Sequence, residues 1–149
     1  MILVDTSVWV EHLRAGDAGL AALLERGAVI GHPFVVGEIA CGSLKSRAAS
    51  LELLQDLPMA TVAEADEVLR YIDRHKLHGK GIGYVDMHLL VATALTGGAR
   101  LWTRDRRLHA VARIGLRARG LQPALRVAQQ DKTRPAALLP PGCGRSTTL

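Results

Sequence analysis

Apolar residues recur along this chain in two alternating rhythms. "ILV" at residues 2–4 is an unbroken apolar run suited to a short buried strand, and "SVWVEHLR" places Val8, Trp9 and Leu13 at helical spacing. "AGLAALLERG" repeats the helical pattern and stops at Gly27, after which "AVIGH" reads as a second strand. Pro33 can open a helix because its missing donor is harmless in the first turn, so "PFVVGEIACGSL" is predicted helical. "AASLELLQDL" is an amphipathic helix ending before Pro58, "MATV" reads as a short third strand, and "AEADEVLRYIDRHKL" is a strongly periodic helix. "HGKGIG" is a loop; "YVDMHLLVATALTGG" is a helix closed by a glycine pair; "ARLWT" is a fourth strand; and "DRRLHAVARIGL" is the last helix.

Strand and helix thus alternate to about residue 115, which predicts an α/β fold: three layers, α/β/α, around a central, mainly parallel sheet of three to five strands. There is no internal repeat. Beyond Leu116 the pattern lapses, four of the six prolines fall there, and the chain closes on "LLPPGCGRSTTL". The expected organisation is one domain over residues 1–116, and an extension over 117–149 that is disordered or foreign to the domain.

A length of 149 residues with 48% hydrophobic side chains suits one compact domain. Cys41 and Cys143 stand far apart with no CxxC or Cys/His spacing, so neither a disulfide framework nor a zinc cage is indicated, which fits a reducing cytoplasm. No apolar run approaches the roughly 18 residues of a membrane span, and the N-terminus lacks a signal-peptide pattern. The expectation is a soluble, cytoplasmic protein without a membrane partner. The net charge of +5 is unevenly spread: residues 1–73 carry 11 acids and 5 bases, whereas 74–149 carry 3 acids and 14 bases. Such a basic half suits a polyanion, nucleic acid first among them, although it would serve solubility or an acidic protein as well.

Four of the 14 acids stand apart from the solvated helix faces that hold most of the rest. Asp5 ends the first strand, Glu38 lies in "PFVVGEIAC", Asp86 opens an apolar helix, and Asp105 follows "ARLWT". Each has an ordinary explanation: Asp5 as a helix cap, Asp86 as a first-turn acid, Asp105 as a turn residue. Glu38, among apolar neighbours, is harder to explain in that way. In an open parallel sheet, ligands bind beyond the carboxyl ends of the strands, where one cleft could collect all four. Gathered carboxylates raise one another's pKa unless a cation neutralises them, and oxygen-only ligands select magnesium or manganese over zinc. Beside a basic surface, such a site suits phosphodiester hydrolysis.

"VDTSVW", the glutamate of "VVGEIACG", "GYVDMHLLVATA" and "LWTRDRRLHAVA", in this order and at these separations, resemble the PIN-domain ribonucleases, and specifically the toxin members of VapBC toxin–antitoxin pairs. The resemblance covers residues 1 to about 115. It implies that the acidic quartet is Asp5, Glu38, Asp86 and Asp105. Asp5, Asp86 and Asp105 would be direct or water-mediated ligands of Mg2+, with Mn2+ a substitute, and Glu38 either a ligand or the group orienting the attacking water. It further implies hydroxyl support from Thr6, Ser7 and Thr103, cleavage of transfer or ribosomal RNA to a 3′-hydroxyl and a 5′-phosphate, a homodimer, and silencing by a cognate antitoxin. Lys80, Arg104, Arg106 and Arg107 are the candidate contacts to RNA phosphates. The alternative is a catalytically idle relative serving as a protein-binding module. Receiver domains and haloacid-type phosphatases are disfavoured, since "ILVDTSV" has neither an acidic pair nor Asp-x-Asp. "HGKGIG" matches no phosphate-binding glycine motif, His75 and His78 are read as a solvated face, and Trp9 and Trp102 as core.

Overall fold

The structure, a computed structural model, describes residues 1–117. The extension expected at 117–149 lies, apart from its first residue, outside them. Three strands, β1 (Ile2–Val4), β2 (Val29–Ile30) and β3 (Arg100–Trp102), form a parallel sheet in the order β2-β1-β3. Seven helices complete the described residues: α1 (Thr6–Ala15), α2 (Ala18–Glu25), α3 (Pro33–Cys41), α4 (Arg47–Gln55), α5 (Ala65–His75), α6 (Tyr84–Leu95) and α7 (Arg106–Arg117). This is the expected α/β/α arrangement, with strands much shorter than its helices.

β1 is central because it is apolar throughout. Leu3 and Val4 are fully buried, pairing with Ile30 of β2 and with Leu101 and Trp102 of β3. Trp9 and Trp102 are core, as expected. α6 is the most buried helix, Met87 to Thr93 being inaccessible without a break, and it packs on β3, α5 and α7. No described helix is long and apolar enough to cross a membrane.

One predicted strand is not formed. "MATV" contributes a single parallel bridge, Gly31 to Met59, in which the Gly31 N–H donates to Pro58 O (2.8 Å) and the Ala60 N–H to Gly31 O (2.9 Å). The pairing stops there, and on the opposite side of the segment the Thr61 N–H donates to the Thr96 hydroxyl at the end of α6 (2.9 Å).

The order of the strands places the site. From β1 the chain passes through α1 and α2 to β2 on one side, then returns through four helices to β3 on the other. Between the carboxyl ends of β1 and β3 lies the point at which the connections diverge, where open parallel sheets leave a crevice.

Candidate active site

Asp5 is the first residue past β1. Its N–H still pairs with Trp102 O (2.9 Å), but its extended backbone (φ −71°, ψ 154°) makes it the N-cap of α1. Its side chain is buried, and three donors converge on one oxygen: the Ser7 N–H, the Ser7 hydroxyl and the Thr103 hydroxyl (2.8 Å) all reach Oδ2. Those hydroxyls are themselves fixed, Thr103 Oγ1 accepting from the Asp105 N–H and Ser7 Oγ from the Arg104 N–H, each at 3.0 Å. The loops after β1 and β3 are thereby stitched together through Asp5. Sequence reasoning named both hydroxyls; their shared target is visible only in the structure.

The other three carboxylates follow one rule. Asp105 caps α7, its Oδ1 accepting from the N–H groups of Arg107 (2.6 Å) and Leu108 (3.1 Å). Asp86, in the first turn of α6, reaches back with Oδ2 to the Gly83 N–H (2.8 Å). Glu38, on α3, is held through Oε2 by the Thr6 hydroxyl at the start of α1, against which α3 packs. Glu38 is exposed, as is Gly37 beside it, on the face of α3 opposite the buried Val35 and Ile39. In all four, the described partners bind one oxygen and leave the second open.

Their nearness shows in Asp86. Burial raises its carboxyl above the ordinary value; the Gly83 N–H works against that; the charges of Asp5, Asp105 and Glu38 all push it higher. The quartet therefore shares one electrostatic neighbourhood. It is not a closed cage: among the described residues no three Asp, Glu, His or Cys side chains are gathered around a single point. The donor set fits a hard divalent ion that keeps several of its waters, as Mg2+ does, and does not fit zinc.

Residues 2–114 match the family described as PIN domain. The chain belongs to the PIN domain family. Among its relatives are the proteins named Ribonuclease VapC32 in Mycobacterium tuberculosis strains CDC 1551 / Oshkosh and ATCC 25618 / H37Rv. Each is 56% identical over 110 residues, which span 74% of this chain and 89% of the relative.

In this PIN domain the four basic candidates divide. Arg104 is paired within the chain: its guanidinium binds Asp17 Oδ2 at 2.6 Å and approaches Glu11 at 4.0 Å. Burial pushes the Asp17 carboxyl up, but the Leu20 N–H and Arg104 outweigh that and hold it below the ordinary value. Arg104 thus ties the β3 exit to the turn between α1 and α2. Arg106, Arg107 and Lys80 remain exposed, with Arg107 Nη1 within 3.5 Å of Gly81 O across from α7. His78 is exposed, whereas His75 packs at a tilt against the Tyr71 ring (centroids 4.3 Å apart). Sequence reasoning missed Asp17, whose signal was an Asp between Gly16 and an apolar helix. It also missed the buried pair His32 and His88, whose rings lie 6.4 Å apart. Burial first, then the neighbouring His88, lowers His32 to about 4, and burial lowers His88. No spacing in the sequence marks that pair.

Proposed function

We propose that this PIN domain is a divalent-metal-dependent endoribonuclease, the toxin of a toxin–antitoxin pair, which hydrolyses phosphodiester bonds in transfer or ribosomal RNA and so halts translation. One observation supports the reading: four carboxylates, drawn from the start of α1, from α3, from α6 and from the cap of α7, share one electrostatic neighbourhood, each with one oxygen held by a described partner. The relatives' name, Ribonuclease VapC32, supports the activity and implies a cognate antitoxin. A homodimer in the cytoplasm belongs to the same reading.

Asp5, Asp86 and Asp105 would hold the ion, Mg2+ by preference with Mn2+ as a substitute, and Glu38 would complete the shell or orient the attacking water. A bound divalent ion supplies charge neutralisation at the phosphate and an acidified water at neutral pH. The residues supply the rest. Ser7 and Thr103 donate to Asp5 Oδ2 and so aim Oδ1, while Thr6 does the same for Glu38. Neutral hydroxyls that donate to carboxylates fix their geometry without adding charge. Arg106, Arg107 and Lys80 offer their charges to the flanking phosphates, where they set register and affinity without reading sequence.

The test is the chemistry of the ends. Purified protein incubated with cellular RNA and Mg2+ or Mn2+ should give discrete cuts bearing 5′-phosphate and 3′-hydroxyl, and none with chelator. Cyclic phosphate ends, or cutting indifferent to chelator, would contradict the proposal.

A further inference from the structure

An open groove of about 540 Å3 lies beside the carboxylates, between α3 and the start of α6. Its walls are Pro33, Phe34, Gly37, Cys41 and Val85, with Glu38 at the edge. Glu38 therefore borders both places: Thr6 holds one of its oxygens toward the quartet, while its residue forms part of the groove. Phe34 is half-buried, its ring braced edge-on by His88 at 4.5 Å and His32 at 5.2 Å. Gly37 keeps the groove open. It stands inside α3, where glycine is a poor helix former, and a Cβ added there would meet nothing within 4 Å.

We propose that this groove is a subsite for one unpaired nucleobase of the RNA being cut, attached to a nucleoside flanking the scissile phosphate. The inference rests on the ribonuclease reading, which sets that phosphate at the quartet and so brings the adjoining base within reach of Glu38's other side. Charge favours this occupant over the strand's phosphates: the groove's lining offers an aromatic ring, apolar walls and one acid but no basic side chain, and the exposed Arg47 near its Cys41 end turns its Nε to Ala40 O at 3.0 Å. A base is the flat, uncharged part of the strand, and proteins bind unpaired bases by stacking them on aromatic rings. The groove thus reads the strand, and the cations only hold it.

Gly37→Leu fills the groove with a good helix former, so the variant should melt no lower than the wild type. The assay uses an oligonucleotide that the wild-type protein cuts, intact or with the base removed on one side of the cut or the other. The base-free RNA of one flank should be cleaved roughly 5- to 100-fold more slowly by the wild type, the range expected for one stacked base. Gly37→Leu should be slowed comparably on intact RNA and no further on that base-free RNA. Cys41, an exposed free thiol in the groove, gives a readout independent of catalysis. In an Asp5→Asn, Cys143→Ser protein, intact RNA with Mg2+ should slow its alkylation and the base-free RNA should not. Equal slowing of Gly37→Leu on intact and base-free RNA, or Cys41 left unshielded by RNA, overturns the subsite while the ribonuclease stands. A wild-type protein that neither binds nor cuts RNA overturns both.

Discussion

Each carboxylate of the quartet does two jobs with two oxygens, and substitutions can separate them. Asp5 Oδ2 is saturated by Ser7 and Thr103, so Thr103→Val removes an aiming contact while keeping the shape of the side chain. Loss of such a supporting hydrogen bond typically costs about 10–100-fold in metal affinity or activity. Thr103→Val should therefore cut RNA that much more slowly and recover in part at high Mg2+; full activity would show that Asp5 needs no aiming. Asp86 carries the sign of the metal-free site. Its folded carboxyl titrates above the ordinary 3.8, raised by burial and then by its three acidic neighbours, so its ionised form weakens the fold. That penalty is fully present above the folded pKa and disappears as pH falls toward 3.8. Asp86→Asn, which keeps an acceptor for the Gly83 N–H, should be more stable than the wild type at pH 7 in chelator, the difference closing in acid. Chemical denaturation across pH checks this, and a variant less stable at pH 7 would refute the repulsion. Glu38 was legible in "VVGEIACG" as an acid without an obvious solvated face. Its hydroxyl partner was not, because Thr6 lies 32 positions away and the pairing depends on how α1 packs on α3.

At the scale of elements, three of the four acids, Asp5, Asp86 and Asp105, sit where helices begin, and the helices need them. Asp105 closes the first turn of α7 with two N–H bonds to Oδ1. Losing such a cap costs about 1 kcal/mol. Asp105→Ala should lose stability on that order, Asp105→Asn should keep nearly all of it, and both should fail to cleave RNA. An active Asp105→Asn would reduce this residue to a cap. This double use explains why the sequence reading could not separate structural from chemical roles: strand-end acids before amphipathic helices look alike in either case. The helices themselves were readable from period and punctuation. The short strands were less so, since "ILV" and "RLW" hold three residues each and "MATV" has the same apolar look yet pairs through a single bridge. His32 caps α3 through Nδ1, which accepts from the Phe34 N–H at 3.2 Å, while Nε2 is buried without a partner. With its folded value near 4, against 6.5 when unfolded, the folded chain resists a proton that the unfolded chain accepts. Its contribution to stability is intact above 6.5 and is lost as pH falls toward 4. His32→Asn, which preserves the cap, should flatten the stability profile between those values; an unchanged slope would assign it to other groups.

For the molecule as a whole, the charge asymmetry seen in the sequence acquires a direction. Asp5 and Glu38 of the first half share one electrostatic neighbourhood with Asp86 and Asp105 of the second, while Lys80, Arg106 and Arg107 are exposed in the loop before α6 and at the start of α7. Composition showed that the second half is basic; only the fold shows that Arg104 is occupied with Asp17 while its neighbours face outward. Arg106→Gln and Arg107→Gln should each reduce the salt dependence of RNA binding by about one charge. Arg104→Gln should leave that slope alone and lower stability instead; the reverse pattern would exchange their roles. The central claim is that the acidic quartet, together with divalent metal, makes this chain cut RNA. The measurement that tests it most directly is Mg2+-dependent RNA cleavage by the wild type and by Asp5→Asn, Glu38→Gln, Asp86→Asn and Asp105→Asn, each shown folded by its melting curve. All four variants should lose activity at least about 100-fold, given that one positioned acid–base group alone contributes that much. Cleavage that survives loss of Asp5 or Asp86, or a folded wild type that leaves RNA intact in Mg2+ and Mn2+, would contradict it.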